Sequence, residues 1–291
     1  DNKAKNAKVD FSMHFKPFAN DFEIILQSKF GFGSTVYQGA NRYYLNDFFM
    51  QQHKLEFKGK NFFVRGYTTT EDGGDSYDMT FTAININRLA KSDTNWFTDY
   101  GTAYARSTLL LGQTPAQAHA AARNFADYNI SPAGLGLTPN IDPNNPSAPR
   151  GTRFAAGSPE FKAAFDKVTA EADVLSGSKL VDNSRIYHSD ANYNLKDVIK
   201  FAEIQVGGSF RLYELNSHGR IYTDANGPIL YNEYGAYTQL TKKVMDDRLK
   251  LSGSIRYDKS KNFEGNYSPR ISAVYSAGDK KQHNLRASFQ T

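Results

Sequence analysis

Residues 71–78 read Glu71-Asp72-Gly73-Gly74-Asp75-Ser76-Tyr77-Asp78, placing four carboxylates in eight positions. Hard cations such as Ca²⁺ take oxygen ligands, so Asp72, Asp75 and Asp78 are a candidate calcium set, against the plainer reading of a solvated turn. No other metal pattern stands beside it: the histidines at 14, 53, 119, 188, 218 and 283 have no ligand spacing. Gly31-Phe32-Gly33-Ser34-Thr35 begins like a phosphate-binding turn but lacks the third glycine, and no helix pattern follows it. There is no cysteine and no Gly-x-Ser-x-Gly, and no Ser/His/Asp set stands out. The expectation is therefore a protein that is not an enzyme and needs no cofactor. Aromatic and cationic side chains suit ligand contact better. Tyr37, Arg42, Tyr43, Tyr44 and Trp96 could stack on a ligand or donate charge-assisted hydrogen bonds, and ordinary packing explains them as well.

The elements that must position these residues follow from periodicity. Val9, Phe11, Met13 and Phe15 alternate with Asp10, Ser12, His14 and Lys16. Ala202, Ile204, Val206, Gly208, Phe210 and Leu212 alternate with Glu203, Gln205, Gly207, Ser209 and Arg211. The same ribbon recurs over 249–258 and 285–290. Successive strand side chains point to opposite faces, so each segment has one apolar and one polar side. A soluble sheet with one wet face gives the same alternation. The runs, however, are about nine to twelve residues long, the length that crosses a bilayer at a tilt of about 45°. Mean hydropathy is −0.59, which removes a transmembrane helix but not a transmembrane barrel. Aromatic residues make up 14% of the chain and gather near segment ends, as in interfacial girdles.

The fold class expected is all-β, an antiparallel transmembrane β-barrel segment of about ten strands with a partly helical extracellular insert. Strands are predicted at 7–16, 22–30, 48–58, 61–70, 186–195, 201–214, 229–244, 248–258, 265–275 and 283–290. This divides the chain into barrel strands in 1–70, an insert over 71–185 and barrel strands in 186–291. Short connections alternate with longer ones around 31–47, 215–228 and 259–264, which sets the short turns on the periplasmic side. Residues 77–86 could form another strand, but counting them as a span would move the insert to the periplasm, so they are left out of the wall. Within the insert the period changes. Thr114-Pro115-Ala116-Gln117 opens a helix near 114–128, and Ser158-Pro159 opens another near 158–173. Prolines 132, 139, 143, 146 and 149 make the segment between them a stiff loop. Trp96, Phe97, Tyr100 and Tyr104 either pack as the cap's own core or face a ligand.

The net charge of +5 is spread along the chain, which argues against nucleic acid. The chain opens DNKAKNAKVDFSM without an apolar signal region, as expected of a mature or partial chain.

Four stretches carry a resemblance. GSTVYQGANRYYLNDFFMQQHKLEFKGKNFFVRGYTTTEDGGDSYDM (33–79), FAEIQVGGSFRLYELNSHGRIY (201–222), NEYGAYTQLTKKVMDDRLKLSGSIRYDKS (232–260) and NYSPRISAVYS (266–276) are similar to the barrel region of Bacteroidetes TonB-dependent outer-membrane receptors. HNLRASFQT (283–291) resembles a strand that in this family runs on into further strands. The resemblance implies a barrel of about 22 strands in the outer membrane, plugged by an N-terminal domain. It implies import of an oligosaccharide, peptide or metal chelate, driven through the periplasmic TonB protein, with a surface lipoprotein as a further partner. Neither the plug nor a terminal aromatic strand is found, and ten strands cannot close so wide a ring, so a segment of a longer chain is expected. A passive porin or structural barrel, and a soluble β-rich glycan-binding module, are the alternatives.

Overall fold

The computed structural model describes residues 3–139 and 151–291. The strands are β1 (Lys5–Phe15), β2 (Glu23–Gln38), β3 (Arg42–Lys58), β4 (Phe62–Asp72), β5 (Tyr77–Asp78), β6 (Arg185–Asn194), β7 (Glu203–Leu215), β8 (Ile229–Val244), β9 (Leu249–Ser260), β10 (Asn266–Ala277) and β11 (His283–Gln290). The helices are α1 (Met79–Ala90), α2 (Asp93–Leu109), α3 (Pro115–Tyr128) and α4 (Pro159–Ala170). The chain divides into two units. One contains 35–46 and 75–180, and the other contains 3–34, 47–74 and 181–291.

In the sheet unit each long strand lies beside its predecessor, in the order β1-β2-β3-β4-β6-β7-β8-β9-β10-β11. This is the antiparallel barrel-wall segment with a helical insert that the alternation predicts. Residues paired across an antiparallel ladder share a face, so the registers can be followed from strand to strand. Met13 faces Leu26 in β2. Val64 links Phe57 to Ala191. Tyr193 faces Val206, and Phe210 faces Tyr234. Ile255 lies between Thr238 and Pro269, and Ile271 faces Phe289. The result is one apolar face continuous from β1 to β11. It stays uncovered: Phe11 is 56% exposed, Phe210 43%, Ile255 44% and Phe289 67%. Polar residues interrupt it, among them Ser28, His53, Thr68 and Ser189, and Ser28 Oγ lies 2.9 Å from His53 Nδ1.

The turns hold the register. Between β3 and β4, Gly59 N–H donates to Phe62 O at 2.8 Å. The neighbouring β6–β7 connection is tied to it, because Lys60 Nζ and Asn61 Nδ2 both reach Asp197 Oδ2 at 2.8 Å. These donors, Lys60 first, hold the Asp197 carboxyl down at about 2. The β7–β8 loop folds on Asp224, which is buried. Burial opposes its ionisation, yet the Ser217 hydroxyl, Ser217 N–H and Gly219 N–H outweigh that and leave its carboxyl at about 2.

Predicted strand limits agree with the structure within a few residues except at one hairpin. Residues 31–47, expected as a loop, continue as strand to Gln38 and resume at Arg42. The ladder persists because Val36 and Tyr37 favour extended backbone and a tight turn closes it, with Gly39 N–H donating to Asn41 O at 2.9 Å. Gly31-Phe32-Gly33 is therefore strand, not a phosphate loop.

In the other unit, α3 and α4 form where predicted. Pro115 opens α3, with Thr114 N–H donating to Gln117 Oε1 at 3.0 Å, and Ser158 Oγ caps α4 by accepting from Phe161 N at 3.1 Å. Residues 77–86 do stay out of the long-strand path. Only Tyr77 and Asp78 pair with β3, and α1 follows. Two small cores result. Ile86, Ala164 and Val168 pack with Phe154, Phe161 and Phe165. Ala103, Ala122 and Phe125 pack with Tyr100, Tyr104 and Leu137. Pro132 and Pro139 lie in non-helical, non-strand chain, and prolines 143, 146 and 149 fall outside the described residues. Among the described residues no helix is long and apolar enough to cross a membrane.

Candidate functional site

Opposite the apolar face, β4, β6, β7, β8 and β9 bring polar residues into rows. One row runs Tyr67, His188, Arg211, Glu233, and a second runs Arg65, Asp190, Ser209, Gly235, Asp258. A third runs Phe63, Asn192, Gly207, Tyr237, Arg256. These residues are far apart in sequence and adjacent only through register. Arg65 Nε donates to Asp190 Oδ1 at 2.7 Å, and His188 Nε2 lies 3.4 Å from the same oxygen. Arg211 Nε reaches His188 Nδ1 at 3.3 Å, and its Nη1 reaches Tyr213 OH at 3.0 Å and Glu233 Oε2 at 3.5 Å. Arg256 Nε holds the Asp258 carboxylate at 2.7 and 2.8 Å, and its Nη2 donates to Ser209 Oγ at 3.3 Å.

Two glycines make this arrangement possible. A Cβ on Gly207 would meet the Tyr237 ring at 2.5 Å, so the missing side chain lets that ring lie along the sheet and accept from Asn192 Nδ2 at 2.7 Å. A Cβ on Gly235 would collide with the Asp258 carboxylate and lie 2.8 Å from Arg256 Nη2, so the ion pair folds over that glycine. The surface is thus a half-buried lattice of paired charges, tyrosines and hydroxyls. It can exchange hydrogen bonds with a passing polar solute without presenting one dominant charge.

The residues singled out from sequence lie elsewhere, in the helical unit and at the end of β4. Tyr37 and Tyr43 stack at 6.1 Å, and Arg42 Nε donates to Gln38 Oε1 at 2.9 Å, so these three decorate the hairpin end. Tyr44 does not share that surface: it is buried against Tyr77 at 5.5 Å. Trp96 belongs to another cluster. Its ring stacks on Tyr100 at 5.1 Å and its Nε1 donates to Asp127 Oδ1 at 2.8 Å. The carboxylates of the acidic run also have separate uses. Asp72 Oδ1 accepts from Gly74 N at 2.9 Å, and Asp75 pairs with Lys179 at 3.2 Å. Asp78 caps α1, accepting from Thr80 N and Phe81 N at 2.7 and 3.0 Å, and takes Asn41 Nδ2 at 2.7 Å. Among the described residues no group of three His, Cys, Asp or Glu is gathered as a metal site.

No protein-family model matches this chain, and no curated protein matches it. Solved structures do. The chain is similar to the FrpB iron transporter from Neisseria meningitidis in its F5-1 variant apoprotein form, at 11% identity and a TM-score of 0.46, over 98% of this chain and 35% of that one. The F3-3 variant gives 12% identity and 0.46, over 98% and 37%. Acinetobacter baumannii OccAB4 gives 10% identity and 0.37, over 99% and 47%. The chain therefore spans about a third of the length of the FrpB structures and under half of OccAB4.

Proposed function

We propose that the chain is part of the wall of an outer-membrane β-barrel transporter. The face carrying Phe11, Phe210, Ile255 and Phe289 lies against lipid, and the face carrying Arg65, Arg211 and Arg256 borders an aqueous passage. One observation carries this reading: apolar residues of successive long strands pair with one another on one face, while on the other Arg65, Arg211 and Arg256 sit among paired polar groups. A soluble sheet covers its apolar face with a second layer. Here that face stays exposed among the described residues, as lipid contact requires. In this orientation the turns at 16–22, 59–61, 195–202, 245–248 and 278–282 are periplasmic, and the connection through residues 73–184 emerges outside.

The stretches resembling Bacteroidetes TonB-dependent receptors support active import, powered by the periplasmic TonB protein acting on a plug and assisted by a surface lipoprotein. The paired-charge lining favours a neutral or zwitterionic hydrogen-bonding cargo, an oligosaccharide or peptide, over a strongly charged metal chelate. A passive porin would use the same lining, so energy dependence separates the two. Uptake by cells carrying the full-length protein is expected to stop when TonB is deleted or the proton gradient is dissipated. Persistent uptake would make the protein a porin. A chain that folds as a stable monomer without detergent or lipid would end both readings in favour of the soluble module.

A further inference from the structure

Beside the core of Ile86, Ala164 and Val168, the helical unit has a hollow of about 260 Å³. One wall is α1, where Met79, Thr82, Ala83, Ile86 and Asn87 recur at helical spacing and so share a face. The other wall is aromatic, built from Tyr77, Phe161 and Phe165 with Phe154 from the chain before α4. The Tyr77 and Phe165 rings meet at right angles, 5.5 Å apart, and Phe161 stacks on Phe165 at 6.5 Å. Phe154, Phe161 and Phe165 are only half-buried, so the core leaves part of each ring uncovered. The Thr82 hydroxyl is committed inward, donating to Asp78 O at 2.7 Å and lying 2.7 Å from Ser178 Oγ.

The exposed polar residues of the lining are Asn87 and Arg153, and among the described residues no carboxylate lines the hollow. Arg153 is held by its backbone, whose N–H donates to Asp127 O at 2.7 Å. Its side chain is less committed. Nη1 lies 3.8 Å from Asp127 Oδ2, an oxygen that already accepts from Arg123 Nε at 3.0 Å, while Oδ1 of the same carboxylate takes Trp96 Nε1 at 2.8 Å. One carboxylate thus serves two guanidinium groups, and the Arg153 side chain stays 48% exposed beside the phenylalanine rings.

We infer that the hollow binds the C-terminal residue of a short peptide, one that carries a large apolar side chain. The side chain enters among Phe154, Phe161 and Phe165, and the terminal carboxylate pairs with Arg153. The Asn87 amide offers both a donor and an acceptor, which matches the last peptide group. A volume of about 260 Å³ falls below the roughly 300–1,000 Å³ of a site for a drug-sized molecule, so it takes one side chain rather than a run of linked residues. A neutral sugar would leave Arg153 without an anion and press hydroxyls against phenylalanine rings, losing their water. Calling the peptide a cargo rests on the import reading above, and a peptide with free ends is zwitterionic, as the paired-charge lining favours.

The test is calorimetric titration of the full-length protein in mild detergent with the tripeptide alanyl-alanyl-phenylalanine. The wild type is expected to bind it about tenfold or more tighter than its C-terminal amide, than trialanine or than 3-phenylpropionate, and to give no heat with maltotriose. Arg153→Gln is expected to bind acid and amide alike, with hydrogen exchange in α1 and α4 as in the wild type. Ala83→Trp, at an exposed position of the lining, is expected to fill the hollow and abolish binding of both. No binding of the tripeptide, equal binding of acid and amide by the wild type, or binding untouched by Ala83→Trp overturns the site. Equally tight binding of 3-phenylpropionate identifies a site for any apolar carboxylate and overturns the peptide assignment, as does maltotriose binding that Ala83→Trp blocks. Each of these results leaves TonB-dependent uptake standing. Uptake that persists without TonB overturns the import reading and leaves the peptide site.

Discussion

Leu240 and Gln239 are neighbours in β8 that point to opposite faces, and together they test which face meets lipid. Leu240 lies between Ile204 and Gly253 on the apolar face, and Gln239 lies between Gln205 and Ser254 on the polar face. Leu240 stands four residues before the end of the strand at Val244, about 13 Å along it at roughly 3.3 Å per residue. At a tilt of about 40° that places it about 10 Å deep in an apolar band about 25 Å tall, close to the midplane. An arginine there costs about 2–4 kcal/mol, whereas Gln239→Arg enters an uncharged polar patch at about 0–1 kcal/mol. At about 3 kcal/mol the difference is roughly a hundredfold in the folded-to-unfolded ratio. Urea titration of the protein in phospholipid vesicles, read by the gel shift of the unboiled barrel, is the assay. Leu240→Arg should lower the midpoint sharply while Gln239→Arg leaves it near wild type. Equal effects, or a larger loss from Gln239→Arg, would refute the assignment of faces.

Three other outcomes follow from the same geometry. Lys91 and Asp99 form a buried pair at 2.9 Å, with Lys91 Nζ also donating to Ala126 O and Asn129 Oδ1; Lys91→Met removes the cation from this buried pair and the donor from both other oxygens, and limited proteolysis should show α2 and α3 opening more readily by about 3–5 kcal/mol, with K91M/D99L recovering part of the loss. Tyr44→Ala should destabilise the helical unit in hydrogen exchange without touching an exposed surface, whereas Tyr37→Ala, at a position 56% exposed, should leave exchange unchanged. The Asp197 carboxyl should titrate near 2, as followed by its carbon chemical shift. Because its value is depressed, the stability it adds is complete above about 4, the unfolded value, and is lost as pH falls through about 2; a titration midpoint near 4 would mean that the Lys60–Asp197 tie between the turns is not formed.

The wall was legible because alternation reports two faces at once, and it is clear over 9–16, 202–212, 249–258 and 285–290 whatever strand lies beside them. The polar rows were not legible. Which polar residue stands beside Arg211 depends on how many residues each turn consumes, and a slip of one residue would put His188 on the opposite face. The missing helices have local causes. Met79, Phe81 and Ala83 alternate with Thr80, Thr82 and Ile84, a strand-like run; α1 forms because Asp78 caps it and because Thr82 and Asn85 bond to Ser178 and to Gly177 O at 2.7 Å each. In α2, Gly101 and the threonines at 94, 98, 102 and 108 depress helix propensity. Trp96, Tyr100, Ala103 and Ser107 nevertheless recur at helical spacing, and that spacing is the signal from which α2 could have been found.

The glycine positions join the wall to its use. Arginine and tyrosine on a strand ordinarily stand away from the sheet, and rows of them would crowd the space in front of it. Gly207 and Gly235 lie opposite Tyr237 and Asp258 in the ladder, and the large groups lie down over them. Flattened in this way, Tyr237, Arg256 and Asp258 satisfy one another along the sheet, and the hydrogen-bonding surface becomes shallow. A tight binding pocket needs groups that converge on a point; a passage needs a surface that offers many equivalent, weak contacts and leaves room to move. The paired lattice has the second character. On the proposed transporter reading, high-affinity selection of a cargo belongs to residues outside these rows, and the rows serve to let the selected solute pass.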